Sequence, residues 1–162
     1  MKAVIQRVSR ARVVVAGEVV GEIERGLLVL VCAMRGDTAT EARALAEKIA
    51  HWRCFGDEAG KMNLSAIDLA LAVLVVSQFT LSADGSRGRR PSFDSAAPPE
   101  VGRALCENFV ETVRALGLEV QTGRFGAHME VELVNDGPVT FALEVPPRGG
   151  ERQRGDPSQV LA

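Results

Sequence analysis

Apolar and polar residues alternate through the first 33 positions, with Gly17, Gly21 and Gly26 as breaks. Val and Ile dominate the alternation, which predicts three strands near 2–9, 12–20 and 26–33. The period then changes. Ala42, Leu45, Ala46, Ile49 and Trp52 recur at helical spacing behind Thr38 or Thr40 as the cap. "GDEAGKMN" (56–63) is a turn, and "LAVLVVSQFTL" (71–81) is a strongly apolar central strand. "SADGSRGRRPSFDSAAPP" (82–99) is a long Gly/Pro/Ser-rich loop, of a length that is usually functional or mobile inside a compact domain. Pro98-Pro99-Glu100 opens a second helix, 99–116, with Val101, Leu105, Phe109, Val113 and Leu116 on one face and Gly117 as its stop. Three strands close the pattern: "LEVQTG", "MEVELVN" and "VTFALEV".

This order argues an α+β fold, a mostly antiparallel or mixed, barrel-like sheet covered by two helices. At 162 residues one domain is expected, residues 1–145, with a polar Pro/Gly/Arg-rich tail, 146–162, that reads as disordered. No apolar run reaches the ~18–20 residues of a membrane span, and the N-terminus lacks the apolar block of a signal peptide. The expected location is cytoplasmic. A net charge of −2 gives no global nucleic-acid footprint, so an RNA partner would need a local patch. "SRGRRPSF" supplies one candidate, Arg87, Arg89 and Arg90, which would equally suit a solvated loop. Three widely spaced cysteines without CxxC fit reduced thiols rather than a disulfide framework. His51 and Cys54 could share a helix face, but two ligands do not make a zinc site, and no metal or cofactor is expected.

Familiar catalytic sets are missing: no GxSxG, HExxH or P-loop. Of the two histidines, His51 lies in the first helix among apolar residues and reads as structural. His128 lies at a strand start and takes no role. What remains are two polar interruptions of apolar strands. "VVSQFT" puts Ser77, Gln78 and Thr80 at the end of the most buried strand, where it opens into the long loop; this is either a satisfied strand end or a site. "VNDGPVTF" places Gly137-Pro138 between two good strands, where proline cannot serve a ladder. That is either a hairpin turn or a rigid piece of backbone held out to touch something.

Taken in order, "MKAVIQRVSRARV", "GKMN", "VVSQFTL", "RGRRPSF", "QTGRFGAHM" and "VNDGPVTF" resemble the D-aminoacyl-tRNA deacylase family from Met1 to about Val145. The resemblance implies hydrolysis of the ester between a D-amino acid, or glycine, and the terminal adenosine of tRNA, a chiral proofreading step in translation. It implies a homodimer with active sites at the subunit interface. Gly137 and Pro138 would form the chirality filter, joined by a cis peptide and presented to the partner's site. Gln78, Phe79 and Thr80 would be catalytic, Ser77 would line the pocket, and Phe125 and Met129 would form part of its wall. Arg87, Arg89 and Arg90 would meet the tRNA backbone. A main-chain filter rejects an L side chain by collision, lets a D side chain point to solvent, and leaves glycine untouched. A Cβ at position 137 would fill that space or force another backbone conformation.

The missing general base also finds a place, because the ester sits beside a ribose hydroxyl of the RNA. Main-chain N–H groups near Phe79 and Thr80 would then stabilise the oxyanion. Two alternatives stand beside this reading. One is a general esterase with Thr80 as nucleophile, which would need a base beside it. The other is a nucleic-acid-binding module of the same fold without chemistry. Arg7 lies either near the pocket or on an exposed strand face.

Overall fold

The computed structural model describes residues 1–147. The expected tail falls outside the described residues except for Pro146 and Pro147. The chain runs β1 (Lys2–Val15), β2 (Glu18–Ile23), β3 (Gly26–Cys32), α1 (Ala39–Ala50), β4 (Phe55–Gly56), β5 (Met62–Leu64), β6 (Ala72–Ser77), α2 (Pro99–Ala115), β7 (Val120–Thr122) and β8 (Glu130–Glu144). Six strands form one mixed sheet in the order β2-β1-β3-β6-β7, with β8 on the other edge of β1. β1 pairs antiparallel with β2, β3 and β8, whereas β3–β6 and β6–β7 are parallel. β4 and β5 form a small ribbon inside the expected turn.

The first two expected strands are displaced. β1 runs unbroken through Ser9 and Arg10, and its turn comes at Ala16-Gly17, both at positive φ (52° and 82°). Two residues at positive φ suit a tight hairpin between twisted strands. The expected break near 10–11 is instead a corner. Before it, Ala3 and Ile5 of β1 face the helices. Val8, on the opposite face of that segment, and Ala11, Val13 and Val15 beyond the corner face a second core. The side-chain parity changes at Ser9–Arg10, where the β1–β8 register also shifts. An irregularity of this kind bends a strand and re-aims its side chains. One strand thereby serves two cores.

The first core lies between the sheet and the helices: Leu27, Val29, Val31, Val73 and Val75 pack against Leu45, Ile49, Leu105, Phe109 and Val113. The second is the interior of a nearly closed barrel, with Leu28, Leu74 and Val76 beside Met129, Val131 and Leu133. At its seam β2 comes so close to β7 that a Cβ on Gly21 would stand 2.6 Å from the Thr122 carbonyl oxygen. α1 starts on a capping box: Thr38 accepts from the Thr40 N–H at 3.2 Å and Glu41 accepts from the Thr38 N–H at 2.8 Å. α2 starts with Pro99 in its first turn. The Met1 ammonium is buried against Asp37 at 2.9 Å and also donates to the Val145 carbonyl, tying the ends of β1 and β8 together. No helix among the described residues is long and apolar enough to cross a membrane.

Candidate active site

β3 and β6 run side by side from Gly26↔Ala72 to Val31↔Ser77, and the Gln78 N–H adds one more bond to the Val31 carbonyl at 2.8 Å. The ladder stops there. The sequence reading extended this strand to residue 81, but Phe79–Ser82 coil into a 3-10 turn. The Ser82 hydroxyl donates to the Phe79 carbonyl at 2.7 Å, and the Leu81 N–H to the Gln78 carbonyl at 3.2 Å. The first N–H groups of such a turn have no partner within it. Among the described residues no acceptor takes the N–H of Phe79 or of Thr80.

A cavity of about 590 Å³ opens at this point. Ser77, Gln78 and Phe79 line it on the β6 side, Phe125 and Met129 on the side leading into β8, and Gly102 and Cys106 come from α2. Phe79 is 60% exposed and packs edge-on against Phe93, with ring centroids 5.1 Å apart. Thr80 does not line the cavity, but its hydroxyl accepts from the Gln78 amide at 2.5 Å. No carboxylate, lysine or histidine among the described residues bonds to that hydroxyl.

The cavity lining contains no carboxylate, and its one titratable imidazole is His128. His128, left without a role above, makes no hydrogen bond among the described residues. Cys32 and Cys106 also line the cavity. Burial pushes both thiols up, Cys106 to about 12, so both are protonated at neutral pH. The Cys32 thiol donates to the Phe79 carbonyl at 3.6 Å. The other histidine is not embedded among apolar residues: His51 is the exposed C-terminal cap of α1, with Nδ1 2.9 Å from the Glu47 carbonyl oxygen.

Gly137 and Pro138 form neither a hairpin nor a break between strands. β8 continues through them, and its register with β1 slips there: Gln6 pairs with Thr140 and Val8 with Asn135, so residues 136–139 all stand opposite Arg7. The extra residues bulge outward, leaving Gly137 and Pro138 exposed, joined by a cis peptide. Two polar side chains brace the bulge. The Asn135 carboxamide accepts from the Val139 N–H at 2.8 Å and donates to the Val139 carbonyl at 3.2 Å. Arg7 Nε donates to the Asp136 carbonyl at 2.8 Å and Nη1 to the Cys54 carbonyl at 2.7 Å. A Cβ on Gly137 would run into the Val139 nitrogen and stand 2.6 Å from Val139 Cγ2. Gly137 is not at positive φ, so this collision, rather than conformational freedom, demands glycine.

Neither Gly137 nor Pro138 lines the cavity. Val131 does, and Gly137 lies six residues further along the same strand, roughly 20 Å of extended chain. One chain therefore unites Ser77, Gln78, Phe79, Phe125 and Met129 but keeps the bulge away from them. Arg7 belongs to the bulge rather than to the cavity. Arg87, Arg89 and Arg90 are exposed on the long loop, which Asp84 and Ser92 close through two main-chain bonds of 2.8 and 2.9 Å. None of the three forms an ion pair among the described residues.

Comparison with known proteins matches residues 4–144 to the family described as D-Tyr-tRNA(Tyr) deacylase. The chain is 59% identical over 150 residues to the D-aminoacyl-tRNA deacylase of Geobacter metallireducens, covering 93% of this chain and 99% of that one. It is 60% identical over 144 residues to that of Pelobacter propionicus, covering 89% and 99%. Among solved structures, the c-Myc DNA unwinding element binding protein superposes with a TM-score of 0.85 at 42% identity, over 90% of this chain and 99% of that one. A probable eukaryotic D-amino acid tRNA deacylase shares the fold with a TM-score of 0.78 at 18% identity, over 89% and 98%.

Proposed function

This chain belongs to the D-Tyr-tRNA(Tyr) deacylase family, and from that membership we propose that it hydrolyses the ester joining a D-amino acid, or glycine, to the terminal adenosine of tRNA. The observation that carries the mechanism is a cavity with no carboxylate in its lining, lined by Phe79, whose main-chain N–H and that of the next residue, Thr80, are unclaimed among the described residues. The Phe79 and Thr80 N–H groups hold the oxyanion that forms as the ester carbonyl is attacked; removing one such donor typically costs about 10²–10³ in rate. Gln78 orients the ester or its ribose, with its amide steadied on Thr80. The ribose hydroxyl next to the ester supplies the reactive oxygen that this protein lacks. Ser77, Phe125 and Met129 enclose the aminoacyl-adenosine.

The bulge completes the site from a second copy of the chain. It is convex, exposed and braced, and its own cavity lies roughly 20 Å away. Delivered by a partner protomer, the carbonyls of Gly137 and Pro138 accept the substrate ammonium and crowd the face where an L side chain would stand. Arg87, Arg89 and Arg90 meet the tRNA backbone through salt-sensitive contacts. A cytoplasmic location follows from the substrate.

Esterase chemistry through a Thr80 nucleophile is less well supported, because the bond to the Thr80 hydroxyl comes from an amide rather than a base. A non-catalytic nucleic-acid module would not need "SQFT" and "GPVT", and both are intact here. The test is deacylation of D-Tyr-tRNA and L-Tyr-tRNA side by side. Release from the D-ester alone is expected, and equal loss of the two esters would refute the filter.

A further inference from the structure

Behind the cavity wall lies a second groove, of about 340 Å³. Ser77, Cys106 and Phe125 line both, so one wall separates the two spaces. The cavity has an apolar character, whereas the groove carries Arg103, Arg114 and Arg124 against Glu107 and Glu111. Two of the arginines are engaged. Arg114 pairs with Glu111 at 2.7 Å, and Arg124 pairs loosely with Glu18 at 3.5 Å in an exposed contact. Arg103 is different. Its guanidinium carbon lies 4.6 Å from the centroid of the Phe125 ring, and it forms no ion pair among the described residues. Stacking on an aromatic face fixes the plane of a guanidinium and leaves its N–H edges free for a planar, bidentate acceptor.

We propose that this groove receives a phosphodiester from the single-stranded 3′ end of the RNA, with Arg103 as its principal contact. The inference rests on the deacylase reading. In an aminoacylated RNA the ribose that bears the ester also bears the 5′-phosphate, so a phosphate must leave the cavity close to the ester. The shared wall offers that exit. The same Phe125 ring that lines the ester cavity carries the arginine, which couples placement of the phosphate to placement of the reacting carbonyl. Glu107 opposes the anion and sets the sign of a second test.

The experiment compares two substrates that share the ester but not the phosphate: D-Tyr-tRNA and 3′-D-tyrosyl-adenosine. Hydrolysis of neither by the unaltered protein would overturn the deacylase reading and this inference with it. With Arg103→Ala, kcat/KM on the tRNA should fall about tenfold further than on the nucleoside, chiefly through KM. The slope of log kcat/KM against log salt should become shallower by about 0.7–1. Arg103→Lys should restore the slope while recovering only part of the rate. Glu107→Gln should raise kcat/KM on the tRNA alone. Equal losses on the two substrates, or an unchanged salt slope, would overturn the phosphate assignment while leaving the deacylase reading intact.

Discussion

The bulge at residues 136–139 and the cavity at the end of β6 are both polar interruptions of apolar strands, yet they are built in opposite ways. The bulge is convex, and side chains hold it: Arg7 bonds the Asp136 and Cys54 carbonyls, and Asn135 bonds both main-chain groups of Val139. The cavity is concave, and the main-chain N–H groups of Phe79 in its lining and of Thr80 next in sequence are left unclaimed among the described residues. A braced ridge suits the task of shape proposed for it, since the outline of a steric filter must not yield. Unclaimed donors suit a task of charge, since they must be available when charge develops.

Altering the ridge should therefore damage discrimination and rate together, and altering the cavity should damage rate alone. Gly137→Ala is expected to have the largest effect, because its Cβ meets Val139 Cγ2 at 2.6 Å and must reshape the ridge. A displacement of about 1 Å can cost about 10²-fold, and a loss of that order is expected with the circular dichroism unchanged. Co-expression with a differently tagged Gln78→Ala chain should recover activity that neither variant has alone, because mixed pairs regain one intact site. Absence of recovery would place ridge and cavity on the same protomer.

Arg7→Ala should come next. Its side chain is only 16% exposed, and its removal leaves two carbonyls without their donor. Hydrogen bonds from charged groups contribute roughly 1–3 kcal/mol, to be read from urea unfolding, and a smaller loss of D/L discrimination than for Gly137→Ala should accompany it. Thr80→Ala should do least. It removes a hydroxyl that accepts from Gln78 but leaves the main-chain donors in place, so substantial deacylation should persist. A folded but inactive Thr80→Ala would restore the covalent mechanism.

The elements with local signals were legible in the sequence. Thr38 and Glu41 sit three residues apart and form the capping box, and Pro99 opens α2. Three of the misread positions answer to distant partners. Gly21 reads as punctuation, but it is a seam against the Thr122 carbonyl, about a hundred residues on. The expected break at 10–11 falls where the apolar alternation lapses, and there the strand in fact runs on while changing which of its side chains face a core. Gly137-Pro138 reads as a strand break because the side chains that keep β8 running through it, Arg7 and Asn135, look like ordinary strand residues. At the site, five residues that the resemblance singled out, Ser77, Gln78, Phe79, Phe125 and Met129, line one cavity, whereas Thr80, Gly137 and Pro138 do not. The groove under Arg103 had no signal, because stacking on Phe125 joins residues 22 positions apart across two elements.

The chain has a single tryptophan, and its position is useful. Trp52 packs edge-to-face on Phe141 with centroids 5.6 Å apart, three residues past Pro138 on β8. Two residues further along its own segment, Cys54 offers the carbonyl that Arg7 grips. The indole is thus wired to the ridge from both sides, and its emission is a native optical gauge there. If a second copy of the chain seats on the ridge as proposed, dilution should shift this intrinsic emission, with no dye attached.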